Sequence, residues 1–203
     1  FGFCPRPKEA IYGKASILSH LGKVLALLNN KKPIGVIGAS MGGGIAMELA
    51  RLHPKQIDRL LLLSPAGLTG RQKTLPPLLG QIGVWFLSQP SVRKGLCKQA
   101  FANPKKDIGA PEEQIASIHL KVPGWGRSLA AFARQGGIAN CGKPLPTQPL
   151  EVIWGANDRI LKGKVKQESY RLLSNHIKEI EECGHLPHID QPEFVAKRWL
   201  VGR

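Results

Sequence analysis

The sequence predicts an α/β fold, with a mostly parallel sheet, flanking helices and an inserted helical cap. Residues 33–38 and 59–63 are apolar on both faces, a pattern typical of strands buried inside a parallel sheet. A helical pattern over residues 42–53 lies between them, so strand, helix and strand follow one another as in a crossover unit. Strand and helix patterns alternate again from residue 150 onwards. These observations together indicate one α/β core that a helical segment interrupts.

The other elements follow from the same patterns. Apolar residues at helical spacing predict a first helix at residues 16–28, which Asn29 and Asn30 end. In the interrupting segment, helical patterns separated by glycine and proline cover residues 78–87, 92–101, 112–120 and 129–133. After a turn-rich linker, the predicted elements are a strand at 150–154, a helix at 163–173, a strand at 177–181 and a helix at 192–200. We therefore predict an α/β core at residues 1–64 and 150–203, and a helical cap with its return linker at residues 65–149.

Basic residues are in excess. Lysine and arginine number 29 against 14 aspartates and glutamates, which gives a formal net charge of +15. Such a charge raises nucleic acid or an anionic membrane as a partner. The basic residues come as scattered pairs, such as Lys31 with Lys32 and Lys105 with Lys106, without a dense run or an RNA-binding pattern. This distribution argues against both partners and favours solvated surfaces.

Cysteine spacing and hydropathy bear on location. The four cysteines form no C-x-x-C pair, which favours free thiols in a reducing, cytoplasmic compartment. The apolar runs are shorter than the roughly 20 residues that a membrane-spanning helix needs, so we expect no stable membrane insertion. The chain opens without an initiator methionine or a signal-peptide pattern, and we interpret it as the continuation of something longer.

The strongest chemical signal is the G-x-S-x-G pattern at residues 38–42, between a predicted strand and a predicted helix. A sharp strand-to-helix turn would hold Ser40 in a strained backbone conformation, with its hydroxyl above the sheet. The alternative is a glycine-rich helix start that binds a phosphate or a dinucleotide. Its G-x-G-x-x-G spacing fails, because Met47 stands where the third glycine would be. The pattern therefore favours a nucleophilic serine over a dinucleotide-binding oxidoreductase.

A serine hydroxyl is a weak nucleophile unless a base removes its proton and a third group orients that base. Asp158 follows the predicted strand at 150–154, at the sheet edge where α/β folds place their ligand sites. His185 follows the last predicted strand and would lie over the same edge. The sequence therefore offers both partners that Ser40 needs.

His188 is the local rival of His185. Cys183 and the two histidines could also form a metal cluster, but one thiol and two imidazoles without a matched further ligand are a weak metal signature. We predict no metal and no cofactor.

Three segments carry a family resemblance: Gly38-Ala39-Ser40-Met41-Gly42-Gly43, Trp154-Gly155-Ala156-Asn157-Asp158 and Gly184-His185-Leu186-Pro187. In order and context they resemble the α/β-hydrolase superfamily, and in particular its capped branch of small esterases and C–C bond hydrolases. The resemblance spans nearly the whole chain. It implies that Ser40 is the nucleophile, that His185 is the general base and then acid, and that Asp158 is the orienting carboxylate. A serine in the nucleophile position disfavours the dehalogenase and epoxide hydrolase branches.

The resemblance also implies a difference at the front of the chain. Family members carry further strands before the serine turn and a His-Gly-type loop that gives one of two oxyanion N–H groups, and neither is in this sequence. We therefore expect an N-terminally incomplete fold in which the strand at 33–38 becomes an exposed apolar edge. The N–H group of Met41 would be the remaining oxyanion donor.

These features predict a serine hydrolase that cleaves an ester, thioester or activated carbonyl bond of a small molecule through an acyl-enzyme. We place the substrate pocket in the cap, where Trp85, Phe86 and Trp125 are the candidates to line it. The alternative for these aromatic residues is packing of the cap against the core. The alternative for the whole chain is a catalytically silent hydrolase-like binding or scaffold protein, or an inactive truncated product.

Overall fold

A four-stranded, fully parallel sheet forms the core, and a computed structural model describes it within residues 4–201. The strands are β1 (Ile34–Ala39), β2 (Ile57–Leu63), β3 (Leu150–Gly155) and β4 (Ile177–Ile180), and they lie side by side in chain order. Each of the three pairings is parallel, which the strand–helix–strand pattern predicts. The first three and the last two residues of the predicted core lie outside the described residues.

All the predicted helices are present, with ends that differ by a few residues, and two short helices, Pro104–Asp107 and Pro187–Asp190, come in addition. In chain order the helices are α1 (Lys14–Leu28), α2 (Met41–Leu52), α3 (Pro77–Ser88), α4 (Pro90–Ala100), α5 (Pro104–Asp107), α6 (Ala110–Ile118), α7 (Trp125–Arg134), α8 (Gly163–Leu173), α9 (Pro187–Asp190) and α10 (Pro192–Val201). A 3₁₀ turn at His119–Lys121 follows α6. Asn29 ends α1 in the left-handed conformation, as a C-terminal asparagine often does.

Both faces of the sheet are covered, which explains the uninterrupted apolar runs. Successive residues of β2 point to opposite faces. Leu60 and Leu62 pack in a cluster with residues of α1, α2 and α8, whereas Leu61 and Leu63 pack in a second cluster with Val195 of α10. A strand buried on both sides has no polar positions to alternate with, so its sequence reads as a continuous apolar stretch.

Helices α3 to α7 lie between β2 and β3, in the predicted position of the cap. They contact one another, with α3 against α7 and α4 against both α3 and α6. That they form a separate subdomain stays a prediction.

Strand β1 occupies one edge of the sheet. Within residues 4–201, β2 is the one strand that pairs with it, and the Ile37 side chain is 45% exposed. A cavity of about 1030 Å³ opens beside the start of this strand, where Arg59, Arg198 and Trp199 line it. Strand β1 is thus an edge strand of the described sheet, with one apolar side chain open to solvent.

In the described part of the chain, the helices are too short or too polar to cross a membrane.

Candidate active site

Ser40 lies at the turn between β1 and α2. Its backbone φ is +48°, a left-handed value that is uncommon for a residue with a side chain. The Ser40 N–H group donates to the Leu63 carbonyl at 2.9 Å, and the Ser40 carbonyl accepts from the N–H groups of Gly43 and Ala66. These bonds tie the strained residue to the neighbouring strand on one side and to the helix on the other.

The glycines around Ser40 make the turn sterically possible. A Cβ atom on Gly38 would lie 2.6 Å from the Gly42 carbonyl oxygen, and one on Gly43 would lie 2.5 Å from the Pro65 Cβ. Both contacts are too close for a real side chain, because the helix start folds back against the end of β1 and packs on the loop that follows β2. A Cβ on Gly42 would meet no atom within 4 Å, so the described structure gives this motif position no steric reason to be glycine.

The structure brings Ser40, His185 and Asp158 together. His185 Nε2 lies 2.8 Å from Ser40 Oγ, and His185 Nδ1 lies 3.0 Å from Asp158 Oδ2. A carboxylate can only accept a hydrogen bond, so Nδ1 carries the proton and Nε2 is left to accept the hydroxyl proton of Ser40. His185 and Asp158 are both buried, which keeps the pair away from competing water.

Topology explains how residues so far apart in sequence meet. Ser40 follows β1, Asp158 lies in the loop after β3, and His185 lies in the loop after β4. All the strands are parallel, so their carboxyl ends lie together at one end of the sheet. The three side chains therefore converge above the carboxyl ends of the strands.

Asp158 is held by four hydrogen bonds. Its Oδ1 accepts from the N–H groups of Ile160 and Leu161 at 2.9 and 3.0 Å, and its Oδ2 accepts from the Trp154 indole and from His185. Burial would raise the pKa of Asp158, but the hydrogen bond and charge of His185, helped by the two backbone N–H groups, lower the pKa below its ordinary value. The carboxylate is therefore ionised at neutral pH.

Asp190, for which the sequence offers no signal, holds the histidine loop. Its Oδ2 accepts from the N–H groups of Gly184 at 2.6 Å and Ala102 at 3.1 Å. The His185 N–H group donates to the Ala100 carbonyl at 2.8 Å. Because the partners are backbone groups, and Ala100 and Ala102 are also distant in sequence, no spacing or motif could indicate these bonds.

The rival histidine is placed differently. His188 is exposed in the first turn of α9, while both side-chain contacts of the site are made by His185. The geometry supports His185 as the residue that acts on Ser40.

Met41 is the first residue of α2, where backbone N–H groups have no partner within the helix. The positive end of the helix dipole adds to the attraction for a negative charge at this position. Its location suits an oxyanion donor, and that role stays a prediction.

The three aromatic residues proposed for the substrate pocket are not in equivalent places. Trp85 and Phe86 are more than half exposed on α3, whereas Trp125 is buried at the start of α7, with its ring centre 5.6 Å from that of His119. Their role in substrate binding stays a prediction.

Cys183 lies two residues before His185, and its thiol is buried. Burial, with the charges of Asp190 and Asp158, raises the pKa of Cys183 to about 12, so the group is a neutral thiol. Among residues 4–201, no three or more His, Cys, Asp or Glu side chains are grouped in a way that could hold a metal ion.

Comparison with known proteins gives matches along nearly all of the chain. The profile of the alpha/beta hydrolase family matches residues 5–198. The sequence is 27% identical to the alpha/beta hydrolase domain-containing protein VTE7 of Arabidopsis thaliana, over 82% of this chain and 52% of that protein. It is 26% identical to a 2-hydroxymuconate semialdehyde hydrolase of Pseudomonas putida, over 97% of this chain and 71% of that protein. The chain thus spans about half of the first relative and about seven-tenths of the second.

A solved structure gives a similar result. The fold superimposes on a serine hydrolase involved in carbazole degradation, the CarC enzyme, with a TM-score of 0.77 and 19% identity. That match covers 99% of this chain and 74% of the other. At this level of identity the likeness concerns the fold.

Proposed function

The chain belongs to the alpha/beta hydrolase family, and from this premise we propose that it is a serine hydrolase that forms an acyl-enzyme. The bond cleaved would be an ester, a thioester or an activated carbonyl bond of a small molecule. One observation carries the proposal: the continuous hydrogen-bonded series from Ser40 through His185 to Asp158 at the carboxyl edge of the sheet. Family membership supports the hydrolase class.

In the first step, Ser40 Oγ attacks the carbonyl carbon of the substrate while His185 Nε2 takes the hydroxyl proton. The 2.8 Å contact between these atoms is within the range that direct proton transfer needs. The imidazolium that forms is stabilised by Asp158, which is already ionised and already bonded to Nδ1. The carboxylate thus orients the base and needs no proton of its own.

Negative charge then develops on the former carbonyl oxygen. The N–H group of Met41 at the start of α2 is the donor that we assign to this oxyanion. The position of Ser40 supports this arrangement, because it directly precedes the first turn of α2, where backbone N–H groups have no partner within the helix.

Collapse of the tetrahedral species breaks the bond to the leaving group, which receives its proton from the His185 imidazolium. Water then enters, gives a proton to His185 Nε2 and attacks the acyl carbon. The second collapse releases the carboxylic acid and returns the proton from His185 to Ser40 Oγ. Each proton moves through one atom, Nε2, which leaves the bond from Nδ1 to Asp158 in place throughout.

A second candidate is cleavage of a carbon–carbon bond next to a carbonyl group. The observation that favours it is the match to 2-hydroxymuconate semialdehyde hydrolase over 97% of this chain. The same serine and histidine would serve, but the leaving group would be a stabilised carbanion rather than an alkoxide or thiolate. Comparing turnover of p-nitrophenyl esters with turnover of 2-hydroxymuconate semialdehyde, the compound in that relative's name, distinguishes the two.

The test is covalent labelling of the purified protein with a fluorophosphonate, which a nucleophilic serine attacks with loss of fluoride. We expect labelling of the protein as it stands, and none in Ser40→Ala. Ser64→Ala is the matched control: Ser64 ends β2 at the same sheet edge, also has a positive φ, and its buried hydroxyl has no hydrogen-bond partner in the structure. Labelling that survives in Ser40→Ala, or none in any variant, overturns the proposal and favours a catalytically silent protein.

A further inference from the structure

Helix α3 has an apolar face that lies open to solvent in the described structure. Five side chains on this face have between half and two-thirds of their surface exposed: Leu78, Leu79, Ile82, Trp85 and Phe86. Their spacing of three, four and seven residues places them on one side of the helix. The opposite side packs on α7, where Gly80 is buried close to Ala130.

This face lies in a basic part of the chain. Residues 60–106 contain seven lysines and arginines and no aspartate or glutamate. Two of the basic residues, Arg71 and Lys73, lie in the fully exposed stretch that leads into α3. Two more from α7, Arg127 and Arg134, line a cleft together with Trp85. Basic residues therefore precede this helix in the chain, and two more lie in the cleft beside Trp85.

We propose that α3 docks this protein onto the surface of an anionic lipid bilayer, a property that goes beyond the proposed hydrolase activity. The helix would lie in the plane of the interface, with its apolar side chains among the upper acyl carbons. Arg71 and Lys73 would contact the phosphate headgroups. Trp85 suits the boundary between headgroups and acyl chains, where aromatic side chains are enriched in membrane proteins.

Charge favours a bilayer over a second copy of the chain. Pairing two copies through α3 would bring together two molecules that each carry a formal charge of +15, at a segment without acidic residues. An anionic bilayer neutralises the same charge. In the sequence alone, the basic residues are too scattered to predict a membrane partner. The structure adds the exposed apolar face that lies among them.

Trp85 provides a direct readout. The chain has four tryptophans; Trp125 and Trp154 are buried and Trp199 is half-buried, whereas Trp85 is 64% exposed. We expect vesicles of phosphatidylglycerol to shift the fluorescence emission to shorter wavelength, and bromine-labelled acyl chains to quench it. Trp85→Phe should remove most of both signals while the protein still sediments with the vesicles. An unchanged spectrum and no sedimentation with phosphatidylglycerol vesicles would overturn the proposal.

Paired variants test the face and the charge separately. Leu78→Ser with Leu79→Ser should weaken vesicle binding by roughly tenfold or more. Leu27→Ser with Leu28→Ser, on an equally exposed part of α1, should not weaken it. Arg71→Gln with Lys73→Gln should weaken binding by about tenfold or more, and binding should fall as salt is raised. Lys31→Gln with Lys32→Gln removes the same two charges from another exposed site and should have a much smaller effect.

Other outcomes decide against the proposal. Equal binding to phosphatidylcholine and phosphatidylglycerol vesicles would exclude a preference for anionic lipid. Equal losses in the test and control pairs would exclude docking through α3. A dimer in sedimentation velocity that Leu78→Ser with Leu79→Ser dissociates would assign the face to a second copy. If that variant does not fold, the charge pairs still decide the matter. Ser40→Ala should bind vesicles normally, so failure of the catalytic proposal and failure of this one are distinguishable.

Discussion

Asp190 Oδ2 lies 2.6 Å from the backbone nitrogen of Gly184, the residue before His185. The same oxygen accepts from Ala102, in the turn that follows α4. One carboxylate thus joins the histidine loop to the inserted helices, and the position of the proposed base depends on where those helices sit. This link gives the inserted segment a role in the site besides any contact with substrate.

Asp190→Ala should therefore reduce activity without touching the reacting atoms. Two backbone N–H groups lose their acceptor, and a loop shift of about 1 Å is enough to lower kcat/KM by roughly a hundredfold. Asp107→Ala is the matched control, because Asp107 also accepts from a backbone N–H group but does so at an exposed turn. The measurement is kcat and KM separately on one p-nitrophenyl ester. A loss confined to KM, or equal losses in both variants, would contradict a positioning role.

The two histidines of the same loop should behave differently. His185→Ala removes the group that lies 2.8 Å from Ser40 Oγ, so we expect a loss of kcat on the order of 10⁴ or more. His188→Ala changes an exposed side chain and should leave kcat within about twofold. Steady-state kinetics with an activated ester measures both. A severe loss in His188→Ala alone would show that the base is misassigned.

Much of this site can be predicted from the sequence, because each of its three side chains comes just after the carboxyl end of a parallel strand. Apolar runs such as residues 59–63 indicate where those strands are. The helices at 42–53 and 163–173 are equally visible, because each is long enough to show an apolar period. The short helices α5 and α9 are not, since four residues make about one turn.

The sequence does not show which faces of the inserted helices α3 to α7 are covered by the rest of the protein. Helix α3 has apolar residues on most of its circumference, including Val84 and Leu87, so no pattern tells which face is covered. Packing of Gly80 against α7 decides it, and that packing turns Trp85 and Phe86 outward. Because the sequence does not show which way Trp85 and Phe86 point, their role in a substrate pocket could be predicted only from the fact that they are aromatic.

Acid should destabilise the fold partly through Asp158. The pKa of this carboxyl is below its ordinary value of 3.8 in the folded protein, so its ionisation stabilises the fold above that value. This contribution to the stability of the fold is lost as the pH falls through the folded pKa, because the carboxylate becomes protonated and no longer brings a charge to its hydrogen bond with His185. Asp158→Asn should therefore have a lower Tm at neutral pH and a flatter fall in Tm from about pH 4.5 downward.

Glu48 provides a comparison for the acid experiment. Burial opposes its ionisation, but ion pairs with Lys14 and Arg51 also hold its pKa below the ordinary value. Glu48→Gln should flatten the acid side of the Tm curve as well, and the double variant should flatten it further, because the two groups lie in separate clusters. Parallel curves for Asp158→Asn and the unmodified protein would contradict the assigned shift.

The two outer glycines of the G-x-S-x-G pattern should differ in their tolerance of a side chain. A Cβ on Gly38 would lie 2.6 Å from the Gly42 oxygen and 2.9 Å from the Gly43 Cα, and backbone atoms at a helix start cannot move away freely. Gly38→Ala should cost about 1–3 kcal/mol or more of unfolding free energy and should displace Ser40 as well. Gly42→Ala adds its Cβ in open space within α2, where alanine favours the helix, and should stabilise the fold by up to about 1 kcal/mol.

Urea unfolding of the two variants measures the difference, and the comparison is matched because each change adds one methyl group. Equal destabilisation by both changes would mean that the space beside Gly42 is occupied in the folded protein, and that this glycine, like Gly38, is required for close approach.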